Sequence, residues 1–275
     1  MKSMKKLLFI AILALIVAVG IGSCAAGWFD FGSSGSNSTN DNISGEINLA
    51  AAASLKNAFD KDLIPMFEKQ HPGVKVKPTY ASSGDLQTQI ENGLKADVFM
   101  SAANKQMNAL ANESLVDNKT NVQSLENKVV LIVPKDSKAN ISSFDDLKKV
   151  NGTIAIGDPE SVPAGQYAKE VLNNTGLWSD VESKLSLGTD VTAVLNQVSQ
   201  GSADCGIVYA TDAKSDDNVK VVCEAPEGSL KTPVIYPVAV LSNASNPDGA
   251  HAFVDFLQTK EAKDVFVEYG FTIHE

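Results

Sequence analysis

Short β-branched runs alternate with stretches in which apolar residues recur every three or four positions, the pattern of an α/β protein. Residues 46–50 predict a strand and 54–70 a helix, with Leu55, Phe59, Leu63 and Phe67 four apart on one face. Pro65 lies inside that helix. It lacks an N–H and crowds the preceding turn, so the helix should bend there or end its regular part. Residues 74–80 form a second strand, with Val74 and Val76 alternating against lysines. A helix at 84–92 turns Leu86 and Ile90 inward, and 97–101 form a third strand. The run VVLIV at 129–133 is wholly apolar, as in a strand buried on both faces. Beyond it the pattern predicts a strand at 153–157, a helix at 164–174 and a helix at 191–200 with Val194, Leu195 and Val198 inward. A buried strand at 206–209, a long return strand at 234–241 and helices at 251–258 and 261–269 complete the chain.

No repeat occurs at a fixed period. The elements instead fall into two similar α/β lobes, with the chain crossing between them near Asn127 and near Lys231. The first lobe is expected over 46–127 plus 232–275, and the second over 128–231. The tail at 270–273 is expected to pack on the first lobe, with no chemical role. Ligands of open α/β sheets bind beyond the C-terminal ends of strands, where helix N-termini gather. In a two-lobed protein that place is the cleft.

The first 45 residues follow a different pattern. Lys2, Lys5 and Lys6 precede an apolar run to Gly22, and Ile21-Gly22-Ser23-Cys24 follows. A charged start, a short apolar core and small residues at its end make a secretory signal over 1–23, and the run is shorter than the roughly 20 residues of a spanning helix. The tetrad resembles a lipobox, in which Cys24 becomes the acylated first residue; an uncleaved N-terminal anchor is the alternative. Both place the rest of the chain outside the cytoplasmic membrane. Residues 24–45 are dominated by Gly, Ser, Asn and Thr, a composition that suits a flexible tether.

Charge narrows the partners. The formal net charge of −10 argues against nucleic acid and against an electrostatic hold on anionic lipid. All 23 basic residues are lysine, so any anion site lacks the guanidinium fork that usually grips oxyanions. His71, His251 and His274 are scattered. Cys205 and Cys223 each sit in a strand-like run; they either bridge two neighbouring strands or remain small buried thiols.

Four segments share one arrangement, a strand or turn, then a small or hydroxyl residue, then a helix start: Ala51–Leu55, Ala81–Gly84, Val162–Gly165 and Thr189–Thr192. The first turn of a helix leaves N–H groups without internal partners, and the helix dipole places about +0.5 charge there. An oxyanion at such an end receives donors and favourable potential together. Small side chains let it approach the backbone, Ser54 and Ser83 add hydroxyls, and Pro163 suits a helix start. Any one of these serines alone would more often be a plain N-cap.

The segments AAASLKNAFD, YASSGDLQTQIENGLKADVFMSA, IAIGDPESVPAGQYAKEVL, TDVTAVL, GIVYATDA, YPVAV and EYGFTI closely resemble the periplasmic molybdate-binding proteins of ABC transporters, from about residue 46 to 273. The resemblance implies the two-lobed periplasmic-binding-protein type 2 fold, an α/β architecture with the ligand between the lobes. It implies a molybdate or tungstate ligand and no cofactor, and as partners the permease and ATPase of an importer. It further implies a monomeric receptor without catalytic activity. The family's five oxyanion-holding positions match Ser54, Ser83, Ala164, Val191 and Tyr209 here. The serines would donate through hydroxyl and N–H, Ala164 and Val191 through N–H, and Tyr209 through its phenol. Metal would enter only as the oxyanion. Asp158, Glu160 and Asp190 belong to the same family pattern and are not assigned to the anion. Receptors for sulfate or phosphate share the lobes but not these motifs. A lipid-anchored serine hydrolase built on Ser54 or Ser83 would need a positioned base and a nucleophile elbow, and the motifs contain neither.

Overall fold

The computed structural model describes residues 43–274. The signal at 1–23, Cys24 and all but the end of the 24–45 tether lie outside the described residues.

The strands in chain order are β1 (Gly45–Ala52), β2 (Val74–Ala81), β3 (Val98–Met100), β4 (Val122–Asn127), β5 (Val129–Pro134) and β6 (Ile154–Gly157). Then follow β7 (Leu185–Gly188), β8 (Cys205–Tyr209), β9 (Val219–Glu224), β10 (Val234–Val240) and β11 (Thr272–Ile273). They form two mixed sheets flanked by helices, ordered β11-β4-β10-β3-β1-β2 and β7-β6-β8-β5-β9. In the first, β1 is parallel to β2 and β3, while β10 runs antiparallel to β3 and β4. In the second, β6 is parallel to β7 and β8, and β5 is antiparallel to β8 and β9. The chain leaves the first sheet at Asn127 and enters the second at Val129; it returns between Glu224 and Val234. The first crossing is the single residue Lys128 and the second passes through a turn at Glu227–Gly228; their ends lie side by side because β4 pairs with β10 there, Asn127 opposite Val234.

The stretch from 53 to 70 is helical throughout and crosses over between the parallel strands β1 and β2. Leu55, Phe59, Leu63 and Phe67 are all fully buried, as their spacing predicts. Pro65 does not end the helix. The turn before it widens to π form over Phe59–Leu63, with Ile64 N–H bonded to the Phe59 carbonyl, so the irregularity falls just ahead of the proline. Phe67 meets Phe253 edge-on at 4.9 Å, and Phe59 meets Phe266 at 6.0 Å. These rings seat the closing helices Pro247–Leu257 and Lys260–Glu268 against the first sheet. The tail pairs with β4 through β11.

The second sheet keeps Cys205 and Cys223 apart. They lie on β8 and β9, which flank β5 on opposite sides, so that Ile207 and Cys223 both face Leu131. Two strand spacings amount to roughly 10 Å, beyond the reach of a bridge, and both thiols are free. The expectation of a bridge between neighbouring strands fails because the apolar VVLIV strand takes the place between them.

Candidate functional site

A small cavity lies where helix starts of the two halves face each other. The half carrying the first sheet contributes Ala52, Ala53, Ser54, Ser82 and Ala102; the other contributes Val162, Pro163, Ala164, Asp190, Val191 and Tyr209. Of the five residues expected to hold an anion, Ser54, Ala164, Val191 and Tyr209 line it. Ser83 is fully buried directly behind the wall, between the lining residues Ser82 and Ala102.

Each element leaves donors to spare. β1 ends at Ala52 and turns at once into a 3-10 turn, Ala53–Leu55, which carries Ser54. In the helix Ser83–Glu91 the cap is Ser82, whose hydroxyl accepts from Asp85 N–H at 3.1 Å. Ser83 is therefore free of capping duty. Its Oγ accepts from Ala102 N–H at 3.0 Å, which leaves the hydroxyl proton to be donated elsewhere. The helix Pro163–Asn174 has no side-chain cap, so the N–H of Ala164 in its first turn has no partner within the helix. Asp190 caps the helix Val191–Ser199 by accepting from Ala193 N–H at 2.8 Å, and the Val191 N–H is left at the tip.

Tyr209 ends β8 and is almost fully buried, yet its hydroxyl has no hydrogen-bond partner among the described residues. Burial pushes the Tyr209 phenol well above the usual tyrosine range, so it stays an O–H donor. Among the described residues no lysine or histidine lines the cavity, and the one charged lining residue is Asp190. The site can therefore hold an anion only through neutral hydroxyl and N–H donors and helix ends.

Hydrogen bonds also join the two halves directly. Gly84 N–H donates to the Ser161 carbonyl at 2.9 Å, and a Cβ on Gly84 would fall 2.3 Å from that oxygen. Gln106 Nε2 donates to Gln166 Oε1 at 3.3 Å. Sequence reasoning missed both contacts, and it also missed Tyr236, whose Oη lies 2.9 Å from Ser54 Oγ. The one available signal was a tyrosine inside an otherwise apolar strand, where a phenol needs a partner.

Asp212, three residues beyond Tyr209, is buried beneath the site, and its Oδ2 accepts from Tyr209 N–H at 3.3 Å. Burial pushes its carboxyl up to about 7 against the help of that N–H, with Asp190 adding repulsion. An unfolded aspartate titrates near 3.9. The folded protein therefore binds more protons than the unfolded chain between about pH 4 and 7. This group's contribution to stability is greatest below that window and is lost as pH rises through 7. Melting curves from pH 5 to 8 should show Asp212→Asn gaining on the wild type as pH rises; a pH-independent difference would remove Asp212 as the source.

Residues 47–272 match the model of the bacterial extracellular solute-binding protein family. The molybdate-binding protein ModA of Escherichia coli is 41% identical over 238 residues, covering 83% of this chain and 90% of that protein. ModA of Haemophilus influenzae is 38% identical over 233 residues, covering 83% and 91%. The solved periplasmic molybdate-binding protein of Azotobacter vinelandii aligns with a TM-score of 0.73, over 83% of this chain and all of that one; at 20% identity it speaks for the fold alone. These relatives are binding proteins and not enzymes. Ser54 Oγ meets Tyr236 Oη at 2.9 Å. Matched over nearly all of its described body, the chain belongs to the family of bacterial extracellular solute-binding proteins.

Proposed function

We propose that this protein captures molybdate or tungstate outside the cytoplasmic membrane and delivers it to the permease and ATPase of an ABC importer. The observation that carries this reading is the cavity between the two halves, where Ser54, Ala164, Val191 and Tyr209 converge without a basic side chain. The kinship to two molybdate-binding proteins supports the choice of ligand. Ser83 joins the set through a small rotation of its wall or through its N–H. A buried dianion is costly unless hydrogen bonds replace its water. Bonds to a charged group contribute roughly 1.5–3 kcal/mol each, so several converging donors offset that cost.

Because the donors come from both halves, binding closes lobes 46–127 plus 232–275 and 128–231 about the paired crossings at Asn127 and Val234. Cavity size then separates anions of equal charge. A smaller sulfate cannot reach every donor at once, and an unpaired donor is penalised. One chain completes the cavity, so the receptor works as a monomer. Cys24 carries the lipid that tethers it to the outer face of the membrane.

Calorimetric titration of the anion-free protein tests the cargo. Molybdate and tungstate should bind with sub-micromolar dissociation constants, a scale of about −8 kcal/mol or better, and sulfate and phosphate far more weakly. Sulfate or phosphate bound as tightly as molybdate would assign a different oxyanion. An intact mass showing an unmodified mature N-terminus other than Cys24 would remove the anchor.

A further inference from the structure

Tyr236 lies on β10, fully buried, and its phenol touches two polar groups. Its Oη is 2.9 Å from Ser54 Oγ and 3.2 Å from Asn127 Nδ2. The amide of Asn127 is held in one orientation. Its Oδ1 accepts from Lys128 N–H at 2.9 Å, so the opposite end of the amide is the donor, and Nδ2 also reaches Thr211 Oγ1 at 2.8 Å. The two amide hydrogens are thereby shared between Thr211 and Tyr236.

Proton bookkeeping then runs one way. Tyr236 Oη accepts from Asn127, and burial keeps the phenol protonated. Its single hydrogen is directed to Ser54 Oγ, 2.9 Å away and nearer than the Asn127 amide at 3.2 Å. Ser54 Oγ is thus used as an acceptor on its inner side. Its own hydrogen is turned away from Tyr236, and Ser54 lines the cavity. A free serine hydroxyl in water spends much of its time with the hydrogen pointing elsewhere; here the orientation is set before any ligand arrives, which is preorganisation of a donor.

We propose that Tyr236, held by Asn127, is a positioning residue that fixes the Ser54 hydroxyl as a hydrogen-bond donor toward the oxyanion. The proposal rests on the reading of the cavity as an oxyanion site and adds a residue that touches no ligand. It also joins the site to the crossing between the sheets, because Asn127 is the last residue of β4.

The test is a double-mutant cycle on the full chain, with molybdate titrated calorimetrically into wild type, Tyr236→Phe, Ser54→Ala and the double variant, well below the lowest melting temperature of the four. Tyr236→Phe keeps the ring and removes only the hydroxyl. It should weaken molybdate binding about three- to tenfold, the range of one net hydrogen bond. In the Ser54→Ala background the same change should cost less than about twofold, because the effect passes through the Ser54 hydroxyl. Asn127→Ala, which leaves Tyr236 in place, provides an independent arm: a smaller loss, again absent without the Ser54 hydroxyl. Unchanged affinity in Tyr236→Phe, or a loss of equal size in both backgrounds, would overturn the role of Tyr236 and leave the oxyanion reading standing. A wild type that takes up no molybdate overturns that reading by itself, before any variant is compared.

Discussion

Gly84→Ala should weaken molybdate binding by one to two orders of magnitude while leaving the anion-free protein nearly as stable as before. Gly84 is the second residue of the helix Ser83–Glu91, and the Ser161 backbone of the opposite half lies against it. A Cβ there would stand 2.3 Å from the Ser161 carbonyl oxygen and 2.8 Å from its Cα. Both are backbone atoms, so no rotamer change relieves the clash. Overpacking of this kind costs about 1–3 kcal/mol, which is roughly five- to 150-fold in a dissociation constant. The cost falls on the closed arrangement alone, because separated halves have room for the methyl group. Gly165→Ala makes the contrast. Its Cβ would meet the Gly157 carbonyl at 2.0 Å, but both residues belong to the same half, so stability should fall with or without the anion. Calorimetry paired with melting curves separates the two patterns. A Gly84→Ala variant that binds as the wild type does would mean that closure does not bring Gly84 against Ser161.

Tyr209→Phe should have opposite effects on binding and on stability. The phenol of Tyr209 is buried without a partner among the described residues, a group that costs roughly 1–3 kcal/mol when left unsatisfied. Its ring is held edge-on between Tyr167 at 6.4 Å and Tyr236 at 5.8 Å, and phenylalanine keeps those contacts. Removing the hydroxyl should leave the anion-free protein equally stable or stabilise it by about 1 kcal/mol. Molybdate affinity should fall roughly ten- to 150-fold, the worth of one bond to a charged acceptor. Denaturant titration of the anion-free protein and calorimetry with molybdate read the two effects separately. Unchanged affinity would take Tyr209 out of the site, and a marked loss of stability would show that the phenol has a partner in the anion-free state.

The long elements were legible because one face or both faces of each are apolar. The four-residue spacing of Leu55, Phe59, Leu63 and Phe67 and the VVLIV run carry strong signals, and all nine residues are buried. Elements with mixed patterns were not. β4, VQSLEN, buries Ser124 and Asn127 among its apolar positions, and β7, LSLG, exposes Leu187, so neither shows a clean strand alternation. The helix Asn104–Asn112 buries Gln106 beside Met107 and Leu110, where polarity hides the apolar face. The helix predicted at 251–258 in fact begins at Pro247, capped by Asn246 through Gly249 N–H. Proline at the first position and glycine at the third mask a start that the cap makes stable.

By itself the sequence determined what is local: the order of strands and helices, the all-lysine basic set that rules out a guanidinium grip, and helix starts with small residues at Ser54, Ser83, Ala164 and Val191. Such features depend on side-chain size, charge and spacing over a few residues. Only the tertiary structure decided how they are used. It placed β5 between the two cysteines, freed Ser83 by giving the cap to Ser82, set Gly84 against Ser161, and brought Tyr236 to Ser54 across 182 positions of chain. Those outcomes arise from which surfaces pack together, and hydrogen-bond direction is settled only after packing has fixed every donor and acceptor in place.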